Sequence, residues 1–326
     1  MDFRLEFFPK VFEEKIKHHH KLMLIGSCFT EQIGAKLSAH KFQTCENPNG
    51  ILFNPISITR SLESYISHKN YSAGDLFLHN ELWGNWDHHT RFSSTDKNEA
   101  LLKMNTSTLQ ASAFLKEADW LMITLGSAFV YELENNQVVA NCHKVPTDKF
   151  HKKLLDVDGL KSTLDNLIAH LRKYNPRLKI IFTISPVRHL RDGFVENNKS
   201  KSVLINATQQ VVENYSFIYY FPAYELVIDD LRDYRFYAED MVHPNYAATN
   251  YVWEKFIATC IDEAAQPLMK EIAAINAARN HKAFNPNSEL HKRFLATHLD
   301  KIQRIQQQYP YINFNADIQY FMTSSI

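Results

Sequence analysis

One apolar run that leads directly into small polar residues constrains the fold more than any other segment. Residues 22–25 are apolar, and Gly26, Ser27 and Cys28 follow them immediately before a helical pattern. A short buried strand would end at the carboxyl edge of a sheet, glycine would permit a tight turn, and the next helix would offer unpaired amides and its positive dipole end. The segment predicts a nucleophile at this turn, either Ser27 Oγ or Cys28 Sγ. Such residues also end buried strands for structural reasons alone.

A carboxylate and an imidazole form a second polar pair far along the chain. Asp240 and His243 stand three residues apart, just before an amphipathic helix, and Pro244 suits the first turn of that helix. Asp240 could orient the His243 ring, and His243 could take a proton from a nucleophile and return it to a leaving group. The alternative interpretation makes Asp240 a helix cap and His243 an ordinary surface residue.

Together these segments resemble the GSCFA family, which is named for its amino-terminal motif and placed in the SGNH/GDSL hydrolase-like superfamily. Gly26-Ser27-Cys28-Phe29 carries the first motif, and Asp-x-x-His-Pro at 240–244 carries the second. The resemblance covers roughly residues 20–260. Other segments that fit the family pattern are 47–55, His89 with Phe92-Ser93, 124–127, 141–146 and 185–188.

The resemblance implies an α/β/α sandwich with a catalytic site at the carboxyl ends of the strands and an esterase-type hydrolysis. In the superfamily the nucleophilic serine is the second residue after the glycine, so an ungapped match puts Cys28 at that position, whereas a shift of one residue would present Ser27. A thiolate at a helix N-terminus beside a histidine is a strong nucleophile. Cysteine there would favour acyl transfer through a thioester, and the alternative is a small buried thiol that only packs under the sheet.

One departure from the superfamily concerns the oxyanion hole. The superfamily's Gly-x-Asn-Asp block supplies an asparagine, but the corresponding strand end here reads Gly126-Ser127, without that amide. Backbone amides near Cys28 and Gly126 would then have to hold the oxyanion, and loss of one donor typically costs about a hundredfold in rate. Each possible substitute also has an ordinary interpretation as a cap or turn residue. The polar candidates for oxyanion or substrate binding are Asn49, Asn54, His89, Asn141 and His143.

The remaining pattern predicts alternating strands and helices. Short apolar runs bounded by turn residues predict buried parallel strands, and apolar positions spaced three and four apart predict the helices between them. The sequence therefore predicts a three-layer α/β/α sandwich with a mostly parallel sheet. The predicted strands are 22–25, 120–125, 179–184 and 217–221, and the predicted helices are 29–39, 97–117, 158–174, 199–214 and 245–261.

Two units are expected along the chain. Residues 1–262 would form the main domain, with loop insertions near 46–55 and 75–95 that shape a substrate cleft, and a hairpin is expected over 131–139 around Asn135-Asn136. Residues 263–326 would form a helical extension, with helices over 263–283 and 287–308. This extension packs either on its own domain or on a partner subunit, as in a homodimer.

Charge and composition exclude several classes of function. Lys plus Arg and Asp plus Glu each number 36 in the 326 residues, so no basic field attracts nucleic acid or anionic lipid, and neither partner is expected. The four cysteines have no C-x-x-C spacing, and no window approaches a membrane span, so a cytoplasmic location is expected. The adjacent histidines 18–20 cannot converge on one ion, and neither a metal nor another cofactor is expected.

The leading hypothesis is an SGNH-like hydrolase that cleaves an ester, for example an acetyl or other acyl group on a carbohydrate or small metabolite. Cys28 or Ser27 would attack, His243 would relay the proton and Asp240 would orient it. Two alternatives remain open on the same fold. One is a non-catalytic module that binds carbohydrate or protein, and the other is an acyltransferase that passes the acyl group to an acceptor other than water.

Overall fold

A computed structural model describes residues 5–323, and elements are numbered here in chain order. The strands of this part of the chain form one five-stranded sheet and two small antiparallel ladders. The strands are β1 (Lys21–Gly26), β2 (Gln43–Glu46), β3 (Phe77–His79), β4 (Leu82–Gly84), β5 (Trp120–Leu125), β6 (Phe129–Glu132), β7 (His151–Leu154), β8 (Lys179–Ile184) and β9 (Ile218–Tyr220).

The five-stranded sheet is parallel throughout and has the order β2-β1-β5-β8-β9. The chain moves outward from β1 to β2 and then returns to build the other half from β5, so the winding direction reverses between β1 and β5. Ligands of open α/β sheets bind in the crevice at the carboxyl ends of the strands at such a switch point. Here that crevice lies where Gly26 is in register with Thr124.

Helices cover both faces of the sheet, which confirms the predicted three-layer α/β fold. Side chains alternate along β1, so Met23 and Ile25 pack in one core layer while Leu22 and Leu24 pack in the other. The helices are α1 (Cys28–Ala39), α2 (Pro55–Ile66), α3 (Lys97–Glu117), α4 (Val157–Tyr174), α5 (Phe194–Asn214), α6 (Ala223–Glu225, continued by a π-helical segment, Leu226–Leu231), α7 (Tyr246–Cys260), α8 (Gln266–Asn280), α9 (Glu289–Gln308) and α10 (Asn315–Thr323).

The four predicted strands of the main sheet are confirmed as β1, β5, β8 and β9, and the five predicted helices are confirmed as α1, α3, α4, α5 and α7. Several elements were not predicted, and two of them show why. The first is β2, a half-buried edge strand of sequence QTCE that has no continuous apolar run. The second is α2, whose start at Asn54-Pro55 reads in the sequence as a turn, although Asn54 caps the helix and Pro55 occupies its first position.

The hairpin expected over 131–139 is only partly present. A turn around Asn135-Asn136 is closed by a hydrogen bond from the Leu133 amide to the Gln137 carbonyl at 2.9 Å. On the side of the expected partner, β6 is joined by a bridge between Glu132 and Val138 and by a hydrogen bond from the Val139 amide to the Tyr131 carbonyl at 2.9 Å, whereas its four-residue ladder is with the distant β7. The sequence did not predict β7 as the main partner of β6, because periodicity within a segment carries no information on pairing with a segment far along the chain.

The C-terminal helices α8, α9 and α10 share a core of their own and dock on the main domain of the same chain. The Asn276 side chain donates a hydrogen bond to the Ala39 carbonyl at the end of α1. Buried Asp317 pairs with Lys41 at 2.6 Å and with Arg279 at 3.0 Å. These contacts fix the extension against α1. None of the helices within residues 5–323 is long and apolar enough to cross a membrane.

The turn after β1 predicts a large effect of replacing its glycine. Gly26 has φ +141°, and a Cβ on it would lie 2.1 Å from the Thr124 carbonyl oxygen. We expect Gly26→Ala to lower the free energy of unfolding by at least about 2 kcal/mol, because both the backbone conformation and the contact with β5 would be strained. Chemical denaturation measures this change.

Gly74→Ala is the matched control, since a Cβ there would meet nothing closer than the Ser72 hydroxyl at 3.7 Å. Its effect should stay within about 0.5 kcal/mol. Equal stability losses in the two variants would contradict the account of this turn.

Candidate active site

Ser27 and Cys28 form the junction between β1 and α1, and they have different surroundings. Ser27 is fully buried and is the N-cap of α1, where its Oγ accepts a hydrogen bond from the Phe29 amide at 3.3 Å. Cys28 is the first residue of the helix and is partly exposed as a free thiol. The capping role of Ser27 follows the general preference for serine at this position.

Opposing effects act on the thiol of Cys28. Burial raises its pKa, and the negative charge of Glu31 acts in the same direction. The backbone amides of Phe29 and Cys28 itself lower the pKa, as does the positive charge of Lys201. Burial is the largest effect, so the pKa of the Cys28 thiol lies above its ordinary value, and the helix amides and Lys201 only partly oppose this rise.

Lys201 on α5 is buried beneath the ends of two strands. Its side chain is 1% exposed, and Nζ donates hydrogen bonds to the Gly126 carbonyl at 2.8 Å and to the Ser185 carbonyl at 2.7 Å. Gly126 follows β5 and Ser185 follows β8. Burial lowers the pKa of Lys201 to about 7, while the Cys28 thiolate acts to raise it. Lys201 therefore joins the carboxyl ends of β5 and β8, and β5 is the neighbour of β1, the strand that leads into Cys28.

Asp240 and His243 contact each other, as their spacing predicted. His243 Nδ1 lies 2.6 Å from Asp240 Oδ2, and the same carboxylate accepts hydrogen bonds from the amides of Val242 and His243 through Oδ1. The hydrogen bonds to His243 and Val242 lower the pKa of Asp240 to about 2. The carboxylate therefore stays ionised at neutral pH and holds the imidazole by Nδ1, and among the described residues no hydrogen bond joins Nε2 to Cys28.

The loop that carries His243 contacts the loop that follows β8. The Arg188 amide donates to the Val242 carbonyl at 3.2 Å. The next residue, His189, is close enough to both Lys201 and His243 for their positive charges to lower its pKa, which burial lowers most, to about 4. His189 is therefore a neutral imidazole at neutral pH, and the charges of both Lys201 and His243 act on it.

The first turns of α1 and α7 also lie side by side. Thr249, in the first turn of α7, donates from Oγ1 to Gln32 Oε1 at 2.9 Å, and Gln32 is one turn beyond Cys28. Helix α7 begins three residues after His243. This contact therefore places α1, which starts at Cys28, next to the helix that follows the His243 loop.

A cavity of about 240 Å³ adjoins His189. Three predicted binding residues line it, namely Asn54, Ser127 and Asn141. Its polar lining is accompanied by apolar and aromatic side chains, which is the composition of small-molecule sites. The other residues that line it are Phe53, Phe129, Tyr131, Val139, Ala140, Cys142, Lys152, Arg191, Asp192, Asn197 and Ser200.

The profile of one protein family matches residues 21–256, which is more than half of the chain, and its description is the GSCFA family. The chain belongs to the GSCFA family. A second profile, the C-terminal domain of GSCFA domain proteins, matches residues 272–324. No curated protein matches the sequence.

Solved structures with partial similarity are distant from this GSCFA protein. A variant of an acetyl-xylooligosaccharide esterase from Geobacillus stearothermophilus has 13% identity, with 76% of this chain and 96% of that chain covered and a TM-score of 0.39. A carbohydrate esterase family 3 protein from Talaromyces cellulolyticus has 13% identity, coverages of 78% and 99%, and a TM-score of 0.34. A family 3 carbohydrate esterase from Clostridium thermocellum has 9% identity, the same coverages, and a TM-score of 0.35. Similarity at this level does not define the reaction.

The Gly126 amide is not available for an oxyanion, which corrects the expectation from the sequence. It donates to the Phe53 carbonyl at 2.8 Å, and the Ser127 amide donates to the same oxygen at 2.9 Å. The loop before α2 therefore covers the end of β5. The Ser127 hydroxyl is also engaged, since it accepts a hydrogen bond from the Phe129 amide and lies 3.3 Å from the Ser200 hydroxyl.

The Asn/Pro loop over 46–55 holds the turn after β1. The Gly26 amide donates to Asn47 Oδ1 at 2.8 Å, a contact that the sequence analysis did not anticipate. Asn49 is fully buried, accepts a hydrogen bond from the Tyr65 hydroxyl and donates to the Asp87 carbonyl. The side chain of Asn49 therefore serves the loop itself.

The aromatic loop over 75–95 packs as a small cluster separate from the main core. Phe77 stacks on Trp86 at 3.8 Å, and the His143 ring contacts both edgewise. His143 Nε2 lies 3.0 Å from the Asn85 carbonyl. His89 begins a short 3₁₀ helix, and its Nδ1 accepts a hydrogen bond from the Arg91 amide. The known contacts of both histidines are structural. Across residues 5–323, no three metal-ligating side chains converge.

Two residues that the sequence analysis missed are central to this arrangement. Lys201 carried a usable signal, since it lies on the same helical face as the buried residues Leu204, Ala207 and Val211. A lysine on the apolar face of a predicted helix is unusual enough to indicate a buried role. His189 had no such signal, because it lies in a loop.

Two buried histidines, His88 and His143, predict how stability depends on pH. Burial lowers the pKa of His88 to about 3 and that of His143 to about 4, from an ordinary value of 6.5. Below pH 6.5 the unfolded chain takes up protons that the folded chain refuses, so the free energy of unfolding should fall as the pH drops from 6.5 towards 4. His88→Phe should reduce this slope by up to about 1 kcal/mol per pH unit.

Urea unfolding at a series of pH values measures the slope. His151→Gln is the control, because His151 is exposed on β7 and should leave the slope unchanged. A slope in His88→Phe equal to that of the wild type would contradict the burial argument.

Proposed function

We propose that this GSCFA protein is an ester hydrolase in which Cys28 is the nucleophile and the Asp240–His243 pair handles the proton. The observation that carries the proposal is the placement of a partly exposed thiol at a helix N-terminus, at the switch point of a parallel sheet. Nucleophile, base and orienting carboxylate are the parts that covalent acyl transfer requires.

The surroundings of the two candidate nucleophiles favour Cys28. The hydroxyl of Ser27 is buried and already serves as the N-cap, so attack by it would require loss of the cap. The Cys28 thiol is partly exposed, and the helix amides and Lys201 act to stabilise its thiolate. Thiolates are the reactive form of cysteine.

The chemistry follows in two steps. His243 takes the proton of the Cys28 thiol as the sulfur attacks the ester carbonyl, and when the acyl–oxygen bond breaks His243 gives that proton to the leaving alkoxide, which yields a thioester and an alcohol. Water then attacks the thioester while His243 accepts one of its protons. The carbon–sulfur bond breaks, the carboxylic acid leaves, and the proton passes from His243 to the sulfur, which restores the thiol. Asp240 supports the imidazolium, because its carboxylate is ionised and bonded to Nδ1.

Oxyanion stabilisation falls to groups other than the Gly126 amide. Within the described residues, the Cys28 amide has no hydrogen-bond acceptor and lies in the first turn of α1, where the helix dipole favours negative charge. Asn141 can add a side-chain amide from the cavity wall, whereas the Asn54 amide already donates to the Val139 carbonyl at 3.5 Å. The cavity of about 240 Å³ is lined by Asn141 and His189 but not by Cys28 or His243, and its size suits a short acyl group, such as acetyl, on a sugar or small metabolite.

Separate substitution of the two adjacent residues distinguishes the nucleophile. Cys28→Ala should lower kcat/KM for p-nitrophenyl acetate by at least about 10³-fold, because the covalent step is lost. Ser27→Ala should keep activity within about tenfold and lower the free energy of unfolding by about 0.5–2 kcal/mol, because only a helix cap is removed. Initial rates and chemical denaturation give the two quantities.

Hydrolysis that survives in Cys28→Ala but is lost in a folded Ser27→Ala protein would overturn the assignment of the nucleophile. Absence of hydrolysis in the wild type, on this ester and on a panel of acetylated sugars, would instead favour a binding module. A product that carries the acyl group on an added sugar would identify a transferase.

A further inference from the structure

The cavity beside His189 is built from segments that other contacts hold in place. Its wall includes the loop after β8, where the buried Asn197 side chain accepts a hydrogen bond from the His189 amide at 2.9 Å. Further along the same loop, Asp192 forms an ion pair with Lys152 on β7, which joins the loop to the β6–β7 ladder. The segment between these two contacts, which carries Arg191, is therefore fixed before any ligand binds.

The lining of this cavity has an excess of positive charge. Its ions are Lys152, Arg191 and Asp192. Asp192 neutralises Lys152, whereas within residues 5–323 no carboxylate forms an ion pair with the exposed Arg191. His189 adds no charge at neutral pH, because burial lowers its pKa to about 4. The guanidinium of Arg191 is therefore uncompensated, and its planar fork matches a carboxylate or a phosphate.

Asn141 supplies another donor to the same cavity. Its Oδ1 accepts hydrogen bonds from the His143 amide at 2.7 Å and from the Thr90 hydroxyl at 3.0 Å. The backbone N–H of His143 fixes the orientation of the side-chain amide, because only the oxygen of that amide can accept a hydrogen bond. No described atom accepts a hydrogen bond from Nδ2, so its N–H groups are available to a ligand in the cavity.

We propose that Arg191 and Asn141 form a subsite in this cavity for an anionic group, a carboxylate or a phosphate. The guanidinium has no acceptor, and the acceptor oxygen of the amide is already engaged, so the pair presents N–H donors and one positive charge. Such a donor set binds an anion more strongly than a neutral polar group. The carboxylate of Asp192 lies in the same lining and opposes the anion, although Lys152 offsets this repulsion.

The subsite adjoins the groups of the proposed reaction. The loop that carries Arg191 contacts the His243 loop through the hydrogen bond from the Arg188 amide to the Val242 carbonyl at 3.2 Å. The anion is therefore part of the ester substrate, either a carboxylate at the end of a short acyl chain or a phosphate on the alcohol. This assignment deepens the proposed function and rests on it, whereas the anion subsite itself does not depend on hydrolysis.

Ligand-observed NMR titrations of the full chain measure its affinity for matched charged and neutral probes. Succinate is compared with succinamide in the carboxylate arm, and glycerol phosphate is compared with glycerol in the phosphate arm. At neutral pH we expect at least one charged probe to bind at least about tenfold more tightly than its neutral counterpart. The arm that shows this preference identifies the anion.

Substitutions with opposite expected effects locate the bound anion. Arg191→Gln should weaken binding of the charged probe by at least about tenfold, and Asn141→Asp, which keeps the acceptor oxygen but adds a negative charge, should weaken it at least as much. Asp192→Asn should instead strengthen binding by about threefold or more, because Lys152 is then unpaired. Arg293→Gln, which removes an exposed arginine on α9 outside the cavity, should leave the affinity unchanged.

Equal affinities for the charged and neutral probes in both arms, or no binding of either charged probe, would overturn the subsite. Binding of a charged probe that is as tight in Arg191→Gln as in Arg293→Gln would also overturn it. Arg191 and Asp192 are exposed, so their variants decide the matter even where Asn141→Asp does not fold. Failure of the wild type to hydrolyse esters would count against the proposed function alone, since none of the probes is a carboxylic ester.

Discussion

The close pairing of β1 with β5 is the constraint on which the candidate site depends. At Gly26 the chain passes so near the Thr124 carbonyl that no side chain fits, and the next residue, Ser27, caps α1. The tight turn puts the helix N-terminus at the point where the sheet reverses its winding. A thiol at the first helical position therefore meets both the helix amides and the neighbouring strand ends.

Buried polar side chains hold these strand ends in place. Asn47 accepts from the amide of Gly26, Ser200 accepts from the amide of Ala128, and Lys201 donates to the carbonyls after β5 and β8. Backbone groups at the ends of strands have lost their ladder partners, and leaving them unpaired in the interior would be costly. Lys201, which satisfies two of these carbonyls, is also near enough to Cys28 for its charge to act on the thiol, so support of the fold and the electrostatics of the site are linked.

The sequence was informative wherever local pattern determines structure. The apolar runs of β1, β5 and β8 and the spacing of Asp240 and His243 are local, and the corresponding predictions were confirmed as strands and as a contact. Long-range partners were not accessible in this way. The pairing of β6 with β7, the Gly126 amide held by Phe53, and the position of Lys201 under two strand ends join distant segments, and only the assembled sheet brings them together.

The most direct test of the central claim is mass spectrometry of the protein quenched in acid during turnover of an acetate ester. The account predicts an acetyl group on Cys28 that hydroxylamine removes, because thioesters react readily with it. It also predicts that His243→Ala slows formation or breakdown of this adduct by at least about 10³-fold, because His243 handles the proton in both steps. An adduct confined to Ser27, or an adduct on Cys28 that turns over equally fast without His243, would contradict the account.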